Sequence, residues 1–301
     1  MRAWISRHPI LAFFLLAYAG CWIIWVPLVL SRQGLGIVGF DVGLPAPLFL
    51  VVSTITGPTL AAVVVEWASG GRAGLLALWR RLRRVWVNPL WYLLAVFGPP
   101  LLLVAGASTW LGLDPATTLV QRWTLLVVPF LPATALGLVV TAFEETGWMG
   151  VGFPRLQGAF GPLAACALLG PLWATWHLPS FFVAGSGGAA VTGLNLPRIG
   201  LQILVLSLVA IAIRICAGWI FNRTGGVVVL IMIGHSALDQ APDVLKGLGV
   251  PRLSGDALDY VFYGSIGAAA LIVLVLTRGH LGRRPSTTLV APAPAFYSDI
   301  G

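Results

Sequence analysis

Charge is the scarcest property of this sequence. Only 9% of its 301 residues are Asp, Glu, Lys or Arg, against about 25% in an average soluble domain. That shortage excludes an ordinary soluble protein and leaves a polytopic membrane protein. Lysine is almost missing, with Lys246 alone beside seventeen arginines. This bias, with abundant Ala, Gly and Leu, fits a GC-rich bacterial genome and a bacterial cell membrane. Cysteine is limited to Cys21, Cys166 and Cys216, an odd count inside apolar runs that excludes a disulfide framework. P-loop, dinucleotide and HExxH motifs are missing, and no internal repeat is evident. A cleavable signal is not expected either, because the run from Pro9 to Leu30 is too long for a signal-peptide core and reads as an anchor.

Long apolar runs fill the rest. At roughly 35 residues for a span plus its loop, the length suits about eight transmembrane helices, so the expected fold is all-α, a single membrane bundle over residues 1–284. The runs place spans near 9–30, 45–67, 89–112, 124–150, 160–182, 200–221, 226–243 and 258–277. Residues 285–301, rich in Pro, Ala, Ser and Thr, read as a disordered tail, and residues 184–190 as a flexible external loop. Between the second and third spans lie Arg72, Arg80, Arg81, Arg83 and Arg84. This stretch reads as an interfacial helix with Leu75, Leu76, Leu78 and Trp79 facing lipid.

The net charge of +8 follows from arginines at helix ends and carries no expectation of nucleic-acid binding. With the N-terminus inside, thirteen cations fall on cytoplasmic segments: Arg2, Arg7, the five just named, Arg155, Arg214, Arg223, Arg278, Arg283 and Arg284. Five fall outside, namely Arg32, Arg122, Arg198, Lys246 and Arg252. The excess predicts both termini in the cytoplasm.

Against this background, two adjacent carboxylates closing an apolar run, Glu144 and Glu145, stand out. An acidic residue at a membrane-helix centre costs about 2.5–3.5 kcal/mol on insertion scales, and such a residue marks a functional site with a partner nearby. His177 and His235 also lie within apolar runs, and Asp239 follows His235 by four residues, on the same helix face. An acid and two imidazoles suit activation of a water. Two histidines and a carboxylate, here Glu144, His177 and His235, are also a common catalytic zinc set, and spacing does not distinguish the two. Successive helix positions are about 100° apart, so Glu144 is expected to point inward and Glu145 to orient the site. At about 1.5 Å per residue, Glu144 lies ~16 Å from Arg155 and His235 ~18 Å from Arg223, but His177 would lie ~33 Å from Arg155 on a continuous helix. The depths agree only if residues 156–161 lie along the surface and the next span starts near Pro162, as Gly158, Gly161 and Pro162 permit. Trp148, Trp173 and Trp176 read as packing and interface aromatics, Glu66 as an interfacial charge, and Asn195 and Asp114 as loop residues.

These motifs resemble the CAAX-prenyl-protease and bacteriocin-processing (CPBP, or Abi) intramembrane proteases. Glu144, Glu145 and Gly150 match the family's Glu-Glu-x-x-x-Arg-Gly, Trp173 and His177 its aromatic-x-x-x-His, and His235 and Asp239 its His-x-x-x-Asn or Asp. The segment Gly147-Trp148 and Phe153 to Leu156 is similar as well, and the likeness covers about residues 120–245. Met149 stands where the family has arginine. An arginine there could pair with the second glutamate, so Glu145 is left to be protonated or to find another partner. The resemblance implies an eight-helix bundle with a conical cavity. It also implies cleavage of a peptide or membrane-protein substrate near the cytoplasmic interface, with a glutamate-activated water and either a divalent metal such as zinc or none. Membrane lipid is the other expected partner. A proton-coupled transporter and a non-catalytic membrane immunity protein are the rival readings.

Overall fold

The computed structural model describes residues 1–112, 114, 117, 120–183, 196–249 and 255–283. The expectations for residues 184–190, Asn195, Arg252, Arg284 and the tail from 285 lie outside the described residues. Among those described, the chain is helical without strands: α1 (Arg2–Arg7), α2 (Pro9–Leu30), α3 (Ala46–Thr54), α4 (Leu60–Leu82), α5 (Leu90–Leu111), α6 (Thr124–Val127), α7 (Phe130–Gly147), α8 (Phe153–Phe160), α9 (Pro162–Trp176), α10 (Leu196–Arg223), α11 (Val228–Gly247) and α12 (Asp256–Thr277). Two π-helical turns, Ile55–Thr59 and Trp148–Gly152, join α3 to α4 and α7 to α8.

Among the described residues, seven helical segments are long and apolar enough to cross a membrane. They leave residues such as Leu136, Leu271, Val275 and Leu276 at 60–79% exposure, the outward apolar surface that hydrocarbon solvates. The remaining expected span, 160–182, is shorter. Its helix α9 has 15 residues, about 22 Å at 1.5 Å per residue, and gives way to a 3-10 turn at Leu178–Phe182. Pro179 disfavours helical backbone at Leu178, which ends the helix just before it.

Two glycines redirect the chain. Gly71 interrupts α4 at φ 56°, ψ −140°, turning the basic stretch out of the line of the preceding span. Leu76 and Trp79 are exposed there. Leu78 is not: it is buried at 5% and its methyl lies against Gly150, so the outward face expected for it is corrected to a face on the protein. The guanidinium of Arg81 donates to the Gly150 carbonyl and Arg155 Nη2 to Glu66 Oε1 at 2.8 Å, which ties this stretch to the segment following the two glutamates. Gly161, at φ 85°, ψ 167°, separates α8 from α9 where the depth comparison requires a break.

Close backbone approach sets the bundle interior. A Cβ on Gly170 of α9 would meet the Ile211 amide nitrogen of α10 at 2.7 Å, and one on Gly147 would meet Pro58 at 2.5 Å. Small residues at such crossings are the usual device where no hydrophobic effect drives helices together. α10 packs chiefly on α9, and α11 on α5 and α7, so the helices bearing the glutamates and both internal histidines share one interior.

Candidate active site

Glu144 and Glu145 occupy the last turn of α7 and are 3% and 0% exposed. They diverge as helix geometry requires and meet different partners. Thr59, from the π-turn Ile55–Thr59, donates to the Phe143 carbonyl, so the end of α7 is held from a second side.

Trp173 links the first glutamate to the histidines. Its indole N–H donates to Glu144 Oε1. Its ring centroid lies 4.4 Å from that of His177 and 5.9 Å from that of His235. Trp173 is therefore corrected from a packing aromatic to a polar member of the site. Trp148 and Trp176 do pack, edge to face at 5.8 Å and almost wholly buried. His177 caps α9 and its Nδ1 lies 2.9 Å from the Trp173 carbonyl. A carbonyl only accepts, so Nδ1 carries the proton and Nε2 is left with its lone pair.

The second glutamate faces Arg214, which the sequence reading had set on a cytoplasmic segment. Arg214 is 2% exposed inside α10, about 14 Å from Arg223 along the helix. Without it, the side expected to be cytoplasmic holds twelve cations against the same five. Arg214 Nη1 donates to both oxygens of Glu145 at 2.8 Å, and its Cζ lies 5.5 Å from the Trp173 ring centroid. Glu145 Oε1 also accepts from His235 Nδ1 at 2.8 Å. The partner that Glu145 lacks at Met149, itself fully buried, thus comes from another helix. Arg214 escaped the sequence reading because it lies near a hydrophobic run's end, yet the span drawn over 200–221 already enclosed it.

His235 Nε2 is 3.8 Å from Asp239 Oδ1, and the Asp239 side chain is 52% exposed. Asp239 thus stands at the rim while the glutamates are enclosed. Both imidazoles donate through Nδ1 to fixed acceptors; the Nε2 of His177 is left to accept from a water or substrate, and that of His235 faces the Asp239 carboxylate. A carboxylate beside two such rings can take a proton from water and hold the resulting hydroxide near a carbonyl carbon. Metal binding fits these side chains less well. Among the described residues no three of the His, Cys, Asp and Glu side chains stand together in a group suited to a metal ion, so Glu144, His177 and His235 do not make such a set.

A cavity of about 480 Å³ reaches this site from α5, α10, α11 and α12. Leu94, Leu101, Ile220, Leu230 and Ile266 are among its walls, and Glu145, Arg214 and His235 supply charged or imidazole groups. Leu94 and Leu101 are 41% and 44% exposed, so the cavity extends toward the lipid-facing surface.

The family model described as type II CAAX prenyl endopeptidase Rce1-like matches residues 123–240. That stretch carries all five candidate residues and Arg214, and the match is consistent with the CPBP resemblance. No curated protein matches the chain.

Proposed function

We propose that this Rce1-like integral membrane protein is an intramembrane endopeptidase that hydrolyses a peptide bond near the cytoplasmic interface. The observation that carries the proposal is the meeting of Glu144, His177 and His235, from three helices, around the single indole of Trp173. In this mechanism Glu144 takes a proton from water as general base. The Nε2 of His177 accepts the water's second hydrogen and holds the water in place, and His235, protonated on Nε2 beside Asp239, donates to the oxyanion of the tetrahedral intermediate. Glu145 fixes the ring of His235, and Asp239 at the rim closes the substrate side. The proton held by Glu144 passes to the leaving amine, so a peptide and water yield a carboxylate and an amine.

The family's description names a CAAX prenyl endopeptidase, and a largely apolar cavity of about 480 Å³ beside His235 offers a lipid chain a place. Pockets of about 300–1,000 Å³ suit small ligands. A farnesylated CAAX peptide is therefore the first substrate to offer. Glu144→Gln and His235→Ala, purified and folded, are expected to lose cleavage by at least about a hundredfold, the scale of removing a general base. Turnover by either at the wild-type rate would refute the assignment. The same variants separate the rivals: a transporter predicts flux into liposomes with no peptide product, and an immunity protein predicts full biological function in a Glu144→Ala strain.

A further inference from the structure

Arg214 is a costly residue for a helix that only needs to span. Its side chain is 3% exposed, it lies about 14 Å from the helix end, and a centrally placed arginine is expensive in a bilayer. Charge compensation alone would be met by one contact to Glu145. The observed arrangement does more. One guanidinium nitrogen bonds both Glu145 oxygens at 2.8 Å, and the guanidinium carbon lies 5.5 Å from the Trp173 ring centroid. Those two residues then make the contacts that fix the chemistry, Glu145 to His235 Nδ1 and Trp173 to Glu144.

From this geometry we infer that Arg214 is the positioning residue of the site, orienting His235 through Glu145 and Glu144 through Trp173. The inference rests on the proteolytic reading for its kinetic consequence but not for its structural one. The guanidinium is planar and presents several donors in a fixed fork, whereas a lysine ammonium is a flexible point charge. Lysine at 214 could satisfy the charge of Glu145. It could not also lie over the indole while directing the carboxylate.

Arg214→Lys therefore separates a positioning role from a charge-balancing one. In nanodiscs, with a farnesylated CAAX peptide, Arg214→Lys should keep the wild-type melting temperature and KM within about twofold. Its kcat should fall about 10–100-fold, the range seen when a supporting contact behind a reactive ligand is removed. Wild-type kcat in a folded Arg214→Lys protein would overturn the inference. A second measurement needs no turnover. In the ¹⁵N spectrum of the histidine rings, the His235 signals should move in Arg214→Lys, while those of His8 and His280 stay in place; unmoved His235 signals would also overturn it. Where Arg214→Lys fails to fold, the neutral pair Glu145→Gln/Arg214→Met replaces it, with the same kcat loss and the same His235 displacement expected. A wild-type protein that leaves the peptide intact counts against the proteolytic reading. The displacement of His235 would then still decide the role of Arg214.

Discussion

The indole of Trp173 lies where Glu144, His177, His235 and the Arg214 guanidinium all come within reach of one side chain. Its ring volume and its N–H can be separated by substitution. Trp173→Phe keeps an aromatic against both histidines and deletes the donor to Glu144, leaving a buried carboxylate short of a partner, at a cost of about 1–3 kcal/mol or more for a charged group. The expected outcome is a folded protein whose cleavage falls about tenfold or more, measured as kcat alongside a melting curve. Unchanged kcat would return Trp173 to a packing role. The residues legible in the sequence were those out of place in their surroundings: Glu144, Glu145, His177 and His235 each interrupt an apolar run. Arg214 and Trp173 were not legible as site residues. An arginine near a span's end is normally a flank, and a tryptophan at membrane depth is normally packing, so only the partners across the bundle give either its role.

At the scale of elements, the break between α8 and α9 sets the depth of His177. Gly161 adopts φ 85°, ψ 167°, a region essentially closed to residues with a side chain, at about 1–3 kcal/mol. A Cβ there meets nothing within 4 Å, so the cost of Gly161→Ala is in the backbone and not in packing. Gly161→Ala is expected to lose about 1–3 kcal/mol of stability and, because α9 moves with the bend, to lose cleavage as well. Thermal unfolding in detergent together with the peptide assay checks this; an unaffected melting temperature would mean that the elbow tolerates a side chain. This break was readable beforehand, because unequal helix depths demanded it and Gly-Pro supplied it. The end of α9 before Pro179 was also available from the sequence, yet the apolar continuation through Phe182 concealed it. The burial of Leu78 was not available, since it depends on Gly150 from a distant segment.

Across the whole molecule, the amphipathic stretch after Gly71 is coupled to the candidate site. Arg81 holds the Gly150 carbonyl, Leu78 lies on Gly150, and Arg155 pairs with Glu66. Gly150 is only five residues beyond Glu145. A piece of chain suited to the headgroup layer is thus riveted to the carboxylates, and the drop from the water boundary to Glu144 becomes a fixed length of the protein. A bilayer that thins or thickens around a rigid bundle must deform or let the protein tilt. The scissile bond of a lipid-anchored peptide, whose own depth follows the bilayer, would then meet that fixed length well in only one thickness. Turnover in a series of phosphatidylcholines of increasing acyl-chain length is expected to rise to a single maximum and fall on either side, and a flat profile would show that the ruler is not rigid. Such a catalyst would choose its substrates by how far their bonds lie below the surface as well as by their side chains.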